Sequence, residues 1–154
     1  MSEADDDYTE RLVSRLPVTV RRRVLWGECD PAQVVYTPRF SDYLIAAFLW
    51  FQRIILDAGA PTLADANLST PMKAMALEFH RTLRPDDIFE MTVLIGDIRS
   101  RTFDLDVTAR TPAGETLFIG RMSPIFINRD QFKGVEIPSP FRERLEYYRA
   151  ALSG

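Results

Sequence analysis

Cysteine is almost absent: Cys29 is the only one in 154 residues. One thiol cannot close an intrachain disulfide or build a cysteine-based zinc site, which fits a reducing compartment. Histidine is as scarce. His80 stands alone, and without a G-x-S-x-G elbow the chain does not read as a Ser-His-Asp hydrolase. No metal site and no cofactor are expected. Neither the glycine-rich loop that cradles nucleotide phosphates nor the dinucleotide-binding glycine pattern occurs. Long apolar runs are missing too: residues 40–56 are interrupted by Asp42, Gln52 and Arg53 and fall short of the roughly 20 residues that span a bilayer. Positive charge is not in excess. A net charge of -3 argues against a nucleic-acid-binding surface. The opening "MSEADDDYTE" is acidic and has no apolar core, so it does not read as a secretory signal. Residues 1–14 are expected to form a flexible acidic tail and residues 15–154 a single domain, with a cytoplasmic location. The length suffices to bury one core without covalent staples.

What the chain does contain is periodicity that changes along its length. Residues 17–26, "PVTVRRRVLW", alternate β-branched residues with arginines and predict a strand with one wet face. A helix follows. Thr37 is its expected N-cap, Pro38 its first residue and Gly59 its stop. Tyr43, Leu44, Ala47, Phe48, Trp50, Phe51, Ile54 and Ile55 cover more than half its circumference, so other structure should enclose it. Beyond it the period becomes two. Met75, Leu77, Phe79 and Leu83, then Phe89, Met91, Val93 and Ile95, then Phe103, Leu105, Val107 and Ala109 alternate with polar positions, apart from Ala76 and Leu94. Short turns such as "RPDD" and "TPAGE" predict antiparallel, mostly consecutive pairing. A last strand at 115–128 can carry Pro124 only at an edge or bulge, and a short helix at 141–152 closes the chain. The expected fold class is α+β, a curved antiparallel sheet wrapped around one long central helix. Such a sheet leaves an edge open, which predicts at least a dimer.

The candidate chemistry centres on Asp30. Pro31 biases it toward an extended backbone, so its carboxylate leaves the first strand at a set angle. On the dipeptide alone a turn-initiating Asp-Pro is the simpler reading. Seven residues later the helix begins, and a helix N-terminus carries partial positive charge and unpaired N–H groups. Because Pro38 has no N–H, the Thr37 N–H is the amide left for a ligand oxygen. A carboxylate and a polarising amide at the mouth of an apolar cavity suit attack on an acyl carbonyl. A thioester fits best, since its thiolate leaves without a strong general acid. His80 reads as a half-exposed strand residue without a catalytic role.

The stretch "GECDPAQVVYTPRFSDYL" resembles the signature of the hotdog-fold thioesterases of the 4-hydroxybenzoyl-CoA thioesterase family. The likeness continues through "FHRTLRPDDIFEMTVLIGDIRSRTFDLDVTARTPAGE", which is similar to that family's strand and turn layout. The resemblance implies a hotdog fold and hydrolysis of an acyl-CoA to free acid and CoA, aromatic acyl groups being favoured over short aliphatic ones. It implies that Asp30 acts as nucleophile or general base, that the Thr37 amide polarises the carbonyl, and that the site lies at an interface of a homodimer or homotetramer. Gln33 and Tyr36 would contact substrate, and Arg99 and Arg101 the CoA nucleotide. Two positions depart from the pattern: Gln33 stands where glycine is common, and Ser100 replaces a basic residue. Two other readings stand beside this one, a hotdog hydratase or dehydratase and a non-catalytic acyl-CoA-binding protein.

Overall fold

The computed structural model describes residues 8–154. In chain order the elements are β1 (Glu10–Arg15), β2 (Val18–Arg23), α1 (Arg39–Phe51), β3 (Leu68–Ser69), β4 (Met72–Phe79), β5 (Ile88–Ile98), β6 (Phe103–Arg110), β7 (Thr116–Pro124), β8 (Ile127–Asn128) and α2 (Ser139–Ser153). Six strands form one antiparallel sheet in the order β1-β2-β5-β6-β7-β4, and β3 pairs with β8 separately. Among the described residues no helix is long and apolar enough to cross a membrane.

The period-two alternation becomes continuous apolar rows across the sheet. Val20 pairs with Met91, Met91 with Ala109 and Ala109 with Phe118, and all four are fully buried. The next row runs Val93, Val107, Gly120 and Leu77. Directly opposed side chains of this kind are the unit of sheet stabilisation. The rows face α1, whose Tyr43, Leu44, Ala47 and Phe51 are fully buried. Leu44 lies so close to the sheet that a Cβ at position 120 would sit 2.5 Å from its Cδ1. Glycine there allows the helix to approach, at the cost of strand propensity.

Helix α1 corrects the expected boundaries at both ends. Regular helix starts at Arg39, and Pro38 is the cap residue, with φ -62° and ψ -19° and no side-chain cap hydrogen bond. Thr37 therefore lies one residue outside the cap; its carbonyl accepts from the Phe40 N–H at 3.2 Å. At the far end, Gln52–Leu56 form a π-helical turn, and Gly59 adopts φ 107°, the left-handed conformation that glycine adopts without strain.

Two further expectations are corrected. The tail assigned to residues 1–14 is ordered in its last part: Glu10–Arg15 is strand β1, hydrogen-bonded to β2. Its remaining residues up to Asp7 lie outside the described residues. Pairing is antiparallel throughout, but β4 does not pair with its sequence neighbour β5. It crosses to the far edge and pairs with β7, and the segment after it runs past the loop before α1 and the end of β2, where Val35 N–H donates to Leu83 O at 2.8 Å and Val24 N–H to Asp87 O at 2.9 Å. β4 is thus an edge strand, and its apolar Met75 and Phe79 remain 36% and 48% exposed. Pro124 is tolerated as the last residue of β7, beside a register shift opposite Met72 and Ala74.

Helix α2 packs on the same face of the sheet as α1. Its Tyr148 stacks edge-on against Phe51 at 5.2 Å, and its hydroxyl accepts from Val18 N–H at 2.8 Å and donates to Val93 O at 2.6 Å. Burial pushes that phenol up to about 12, so it stays a donor. Both partners are backbone groups inside the core, where an unmade hydrogen bond is expensive.

Candidate active site

The segment from Trp26 to Pro38 folds into a tight loop joining β2 to α1. A single 3-10 turn, Trp26–Glu28, leads into it. Asp30 N–H donates to Val34 O at 2.9 Å, Gln33 N–H returns to Asp30 O at 2.9 Å, and Cys29 bridges Val35. Asp30 Oδ1 accepts from Ala32 N–H at 2.8 Å, the Asx-type contact that short acidic side chains make in turns. That bond orients the carboxylate and leaves Oδ2 without a hydrogen-bond donor among the described residues.

Gln33 has φ 66°, so the position where the resembled family commonly has glycine adopts the conformation that glycine favours. A side chain there costs about 1–2 kcal/mol, and Gln33 is exposed and makes no side-chain hydrogen bond among the described residues to offset it. Gln33→Gly should therefore raise stability by up to about 1 kcal/mol once the unfolded-state entropy of glycine is deducted. Urea denaturation midpoints check this; a lower midpoint in the variant would show that the glutamine side chain contributes more than its strain costs.

Asp30 and Thr37 line one cleft of about 360 Å³. Its apolar lining comes from Val34, Val35, Phe40 and Phe79, and its polar rim from His80, Arg81 and Thr82. The Thr37 N–H has no acceptor among the described residues. Asp30 and Thr37 thus border a common space beside the start of α1, where the helix dipole adds positive potential. Gln33 and Tyr36 sit on the same loop, exposed, and do not line the cleft.

His80, Arg81 and Phe79 were not among the site residues read from the sequence. Strand β4 ends at Phe79, so Phe79 and His80 no longer point to opposite faces and both reach the cleft. His80 is exposed, its backbone N–H donating to Leu117 O at 2.8 Å and its Nε2 lying 3.5 Å from Glu78 Oε1. Arg81 is paired with Glu115. No sequence signal marks these residues, because their membership depends on where β4 sits.

Arg99 and Arg101 lie on the turn after β5, at the other end of an 11-residue strand, roughly 30 Å from the cleft at about 3.3 Å per residue. One chain does not bring them to Asp30. Arg99 donates two hydrogen bonds to Asp104, at 2.8 and 2.7 Å, and Ser123 adds a third at 2.7 Å. Asp104, expected on the wet face of its strand, is 2% exposed. The Arg99 hydrogen bonds hold its carboxyl below the usual range, against the opposing effect of burial. A depressed folded-state value means the stabilisation is complete above about pH 4 and is lost as pH falls through the lowered value. Asp104→Asn should lower the urea midpoint at pH 7 and flatten its fall below about pH 4; parallel acid limbs in the two proteins would remove this linkage. Arg101 is exposed and has no ion pair among the described residues.

Sheet, helix and loop together define a class, the hotdog-fold thioesterases. A model of the Thioesterase-like superfamily matches residues 24–145, and the chain belongs to that family. It is similar to the 4-hydroxybenzoyl-CoA thioesterase of Pseudomonas sp. (strain CBS-3), with 25% identity over 134 residues covering 82% of this chain and 95% of the relative. Among solved structures, a thioesterase-superfamily protein from Jannaschia sp. CCS1 superposes with a TM-score of 0.73 and 25% identity, covering 84% of this chain and 90% of that one. A Staphylococcus aureus protein solved in complex with CoA reaches a TM-score of 0.80 at 13% identity, covering 94% and 87%, and shares the fold.

Proposed function

We propose that this protein hydrolyses acyl-CoA thioesters, with Asp30 as the carboxylate that initiates attack and the Thr37 N–H as the donor to the carbonyl oxygen. The observation that carries this reading is the shared cleft: an Asp30 oxygen without a donor and a peptide N–H without an acceptor border the same partly apolar space. In one route Asp30 attacks the carbonyl carbon, the oxyanion gathers on the Thr37 N–H, the CoA thiolate leaves, and water cleaves the resulting anhydride. In the other, Asp30 takes a proton from the attacking water. Isolation of labelled enzyme under single-turnover quench separates the two.

The Pseudomonas relative, a 4-hydroxybenzoyl-CoA thioesterase by name, supports an aromatic acyl group, and the Phe40 and Phe79 rings in the cleft are suited to one. Thiol release measured over benzoyl, phenylacetyl, acetyl and long-chain CoA esters should rank the aromatic esters first. Absence of turnover with every ester would overturn the assignment. The nucleotide contacts expected of Arg99 and Arg101 can serve this cleft only from another subunit, and Arg101 is the freer of the two. Pairing of two β4 edges would cover Met75 and Phe79 and make the active assembly a dimer or a tetramer built from it. The cytoplasm is the compartment this substrate and the single cysteine suit.

One observation favours a second reading. His80 shares the cleft with Asp30, and a histidine beside an acid is the pairing that hydratases use. His80→Gln separates the two readings: the hydrolase should keep thiol release, whereas a hydratase would lose its addition of water to an enoyl-CoA.

A further inference from the structure

A chain of polar side chains runs beneath the Asp30 loop. Glu28, two residues before Asp30, accepts at Oε1 from Leu25 N–H at 2.7 Å and from the Tyr43 hydroxyl at 3.0 Å. Its Oε2 accepts from Arg22 Nη2 at 2.5 Å. Arg22 Nη1 continues to Glu10 Oε2 at 3.1 Å, and Glu10 Oε1 accepts from Trp50 Nε1 at 2.6 Å. The Arg22 guanidinium also lies 5.2 Å from the centre of the Tyr43 ring. The side chains of Arg22 and Glu28 are each only 13% exposed, and Tyr43 is fully buried. The chain therefore ties β1, β2 and α1 to a single residue of the loop.

Glu28 is also placed to transmit that restraint. Its carbonyl accepts from Tyr36 N–H at 2.9 Å, so one residue holds both arms of the loop, the arm leading to Asp30 and the arm leading to Thr37. We infer that Glu28 is a positioning residue, held by Arg22 and Tyr43 and backed by Glu10 of β1, that sets the distance between the Asp30 carboxylate and the Thr37 amide. A displacement of about 1 Å in such a pair is enough to cost on the order of a hundredfold in rate.

The inference rests on the proposed hydrolysis for its kinetic consequence, and Cys29 supplies a readout that does not. Its thiol lies between Glu28 and Asp30 and contacts Leu25 O at 3.7 Å, so its alkylation reports the loop directly. Tyr43→Phe removes one brace while keeping the Glu28 charge. Glu28→Gln keeps the shape and sets two donors, its amide and Arg22, against each other. Both variants should lower kcat at least tenfold with KM within threefold, and N-ethylmaleimide labelling of Cys29, followed by mass spectrometry well below Tm, should accelerate at least fivefold. Phe126→Ala, a core variant whose ring meets Phe103 and Phe141 and no member of the network, is the control for lost stability and should leave the labelling rate unchanged. Wild-type labelling rates in both brace variants, or equal acceleration in the control, would overturn the inference. Failure of the parent protein to hydrolyse any acyl-CoA would sink the proposed function and leave the labelling result to judge the brace.

Discussion

Asp30→Asn is expected to lower kcat by about 10²- to 10⁴-fold, the range a positioned carboxylate contributes to proton transfer, and by more if the carboxylate is the nucleophile. The substitution is nearly isosteric. An asparagine Oδ1 can still accept from Ala32 N–H, as the Asp30 Oδ1 does at 2.8 Å, so the turn and its Gln33 and Val34 hydrogen bonds should persist. What is removed is the negative charge and the oxygen that attacks or takes the proton. A loss confined to kcat, with KM changed less than threefold and the urea midpoint unaltered, would assign the effect to chemistry. Asp42→Asn supplies the comparison: Asp42 is exposed on α1 and pairs with Arg39 at 3.2 Å, and it should be kinetically silent. Turnover within threefold of the parent in Asp30→Asn would remove Asp30 from the mechanism.

Phe118→Ala is expected to cost about 3–5 kcal/mol of stability, as removal of a buried aromatic ring generally does. Phe118 is fully buried on β7. Its ring meets Phe40 at 5.2 Å and Phe89 at 5.9 Å, and Phe40 in turn meets Phe79 at 4.9 Å edge-on. Each such pair adds about 0.5–1.5 kcal/mol beyond the area buried. Against a typical total of about 5–15 kcal/mol, the loss would leave little. Phe40 and Phe79 line the cleft, so the folded fraction should also show a raised KM for aromatic esters, while Phe118→Leu, which fills most of the space, should recover most of both. A destabilisation below about 1 kcal/mol in denaturant unfolding would mean that the surrounding rings collapse into the cavity.

Much of this architecture is legible in the residues alone, and the places where legibility ends have a common cause. The alternation through Phe89, Met91 and Val93 and through Phe103, Leu105 and Val107 reads directly as strands, because side chains on a strand change face at every residue. The helix after Asp30 is marked by Thr37-Pro38 and by Gly59, with boundaries displaced by one to a few residues because caps are read from composition while the first turn depends on backbone angles. The strand β1 is hidden by the acidic residues before it: "ERLVSR" has too few apolar residues to stand out, and its order comes from pairing with β2 and from the Glu10 contacts to Arg22 and Trp50. Asp104 shows the same limit. On alternation it belongs outside, yet Arg99 and Ser123 close over it.

By itself, then, the order of residues determined the long strands of the sheet after β1, the long enclosed helix and the nearness of Asp30 to the helix start, since all of these follow from periodicity and from separations of a few residues. Only the tertiary structure decided that β4 lies beside β7, that His80 and Arg81 join the cleft, that Arg99 is occupied by Asp104, and that Glu28 is braced from β1. Those contacts join residues distant along the chain. Hydrophobic patterning states which face is buried, but which strand becomes the neighbour is chosen by the whole sheet closing on its helix.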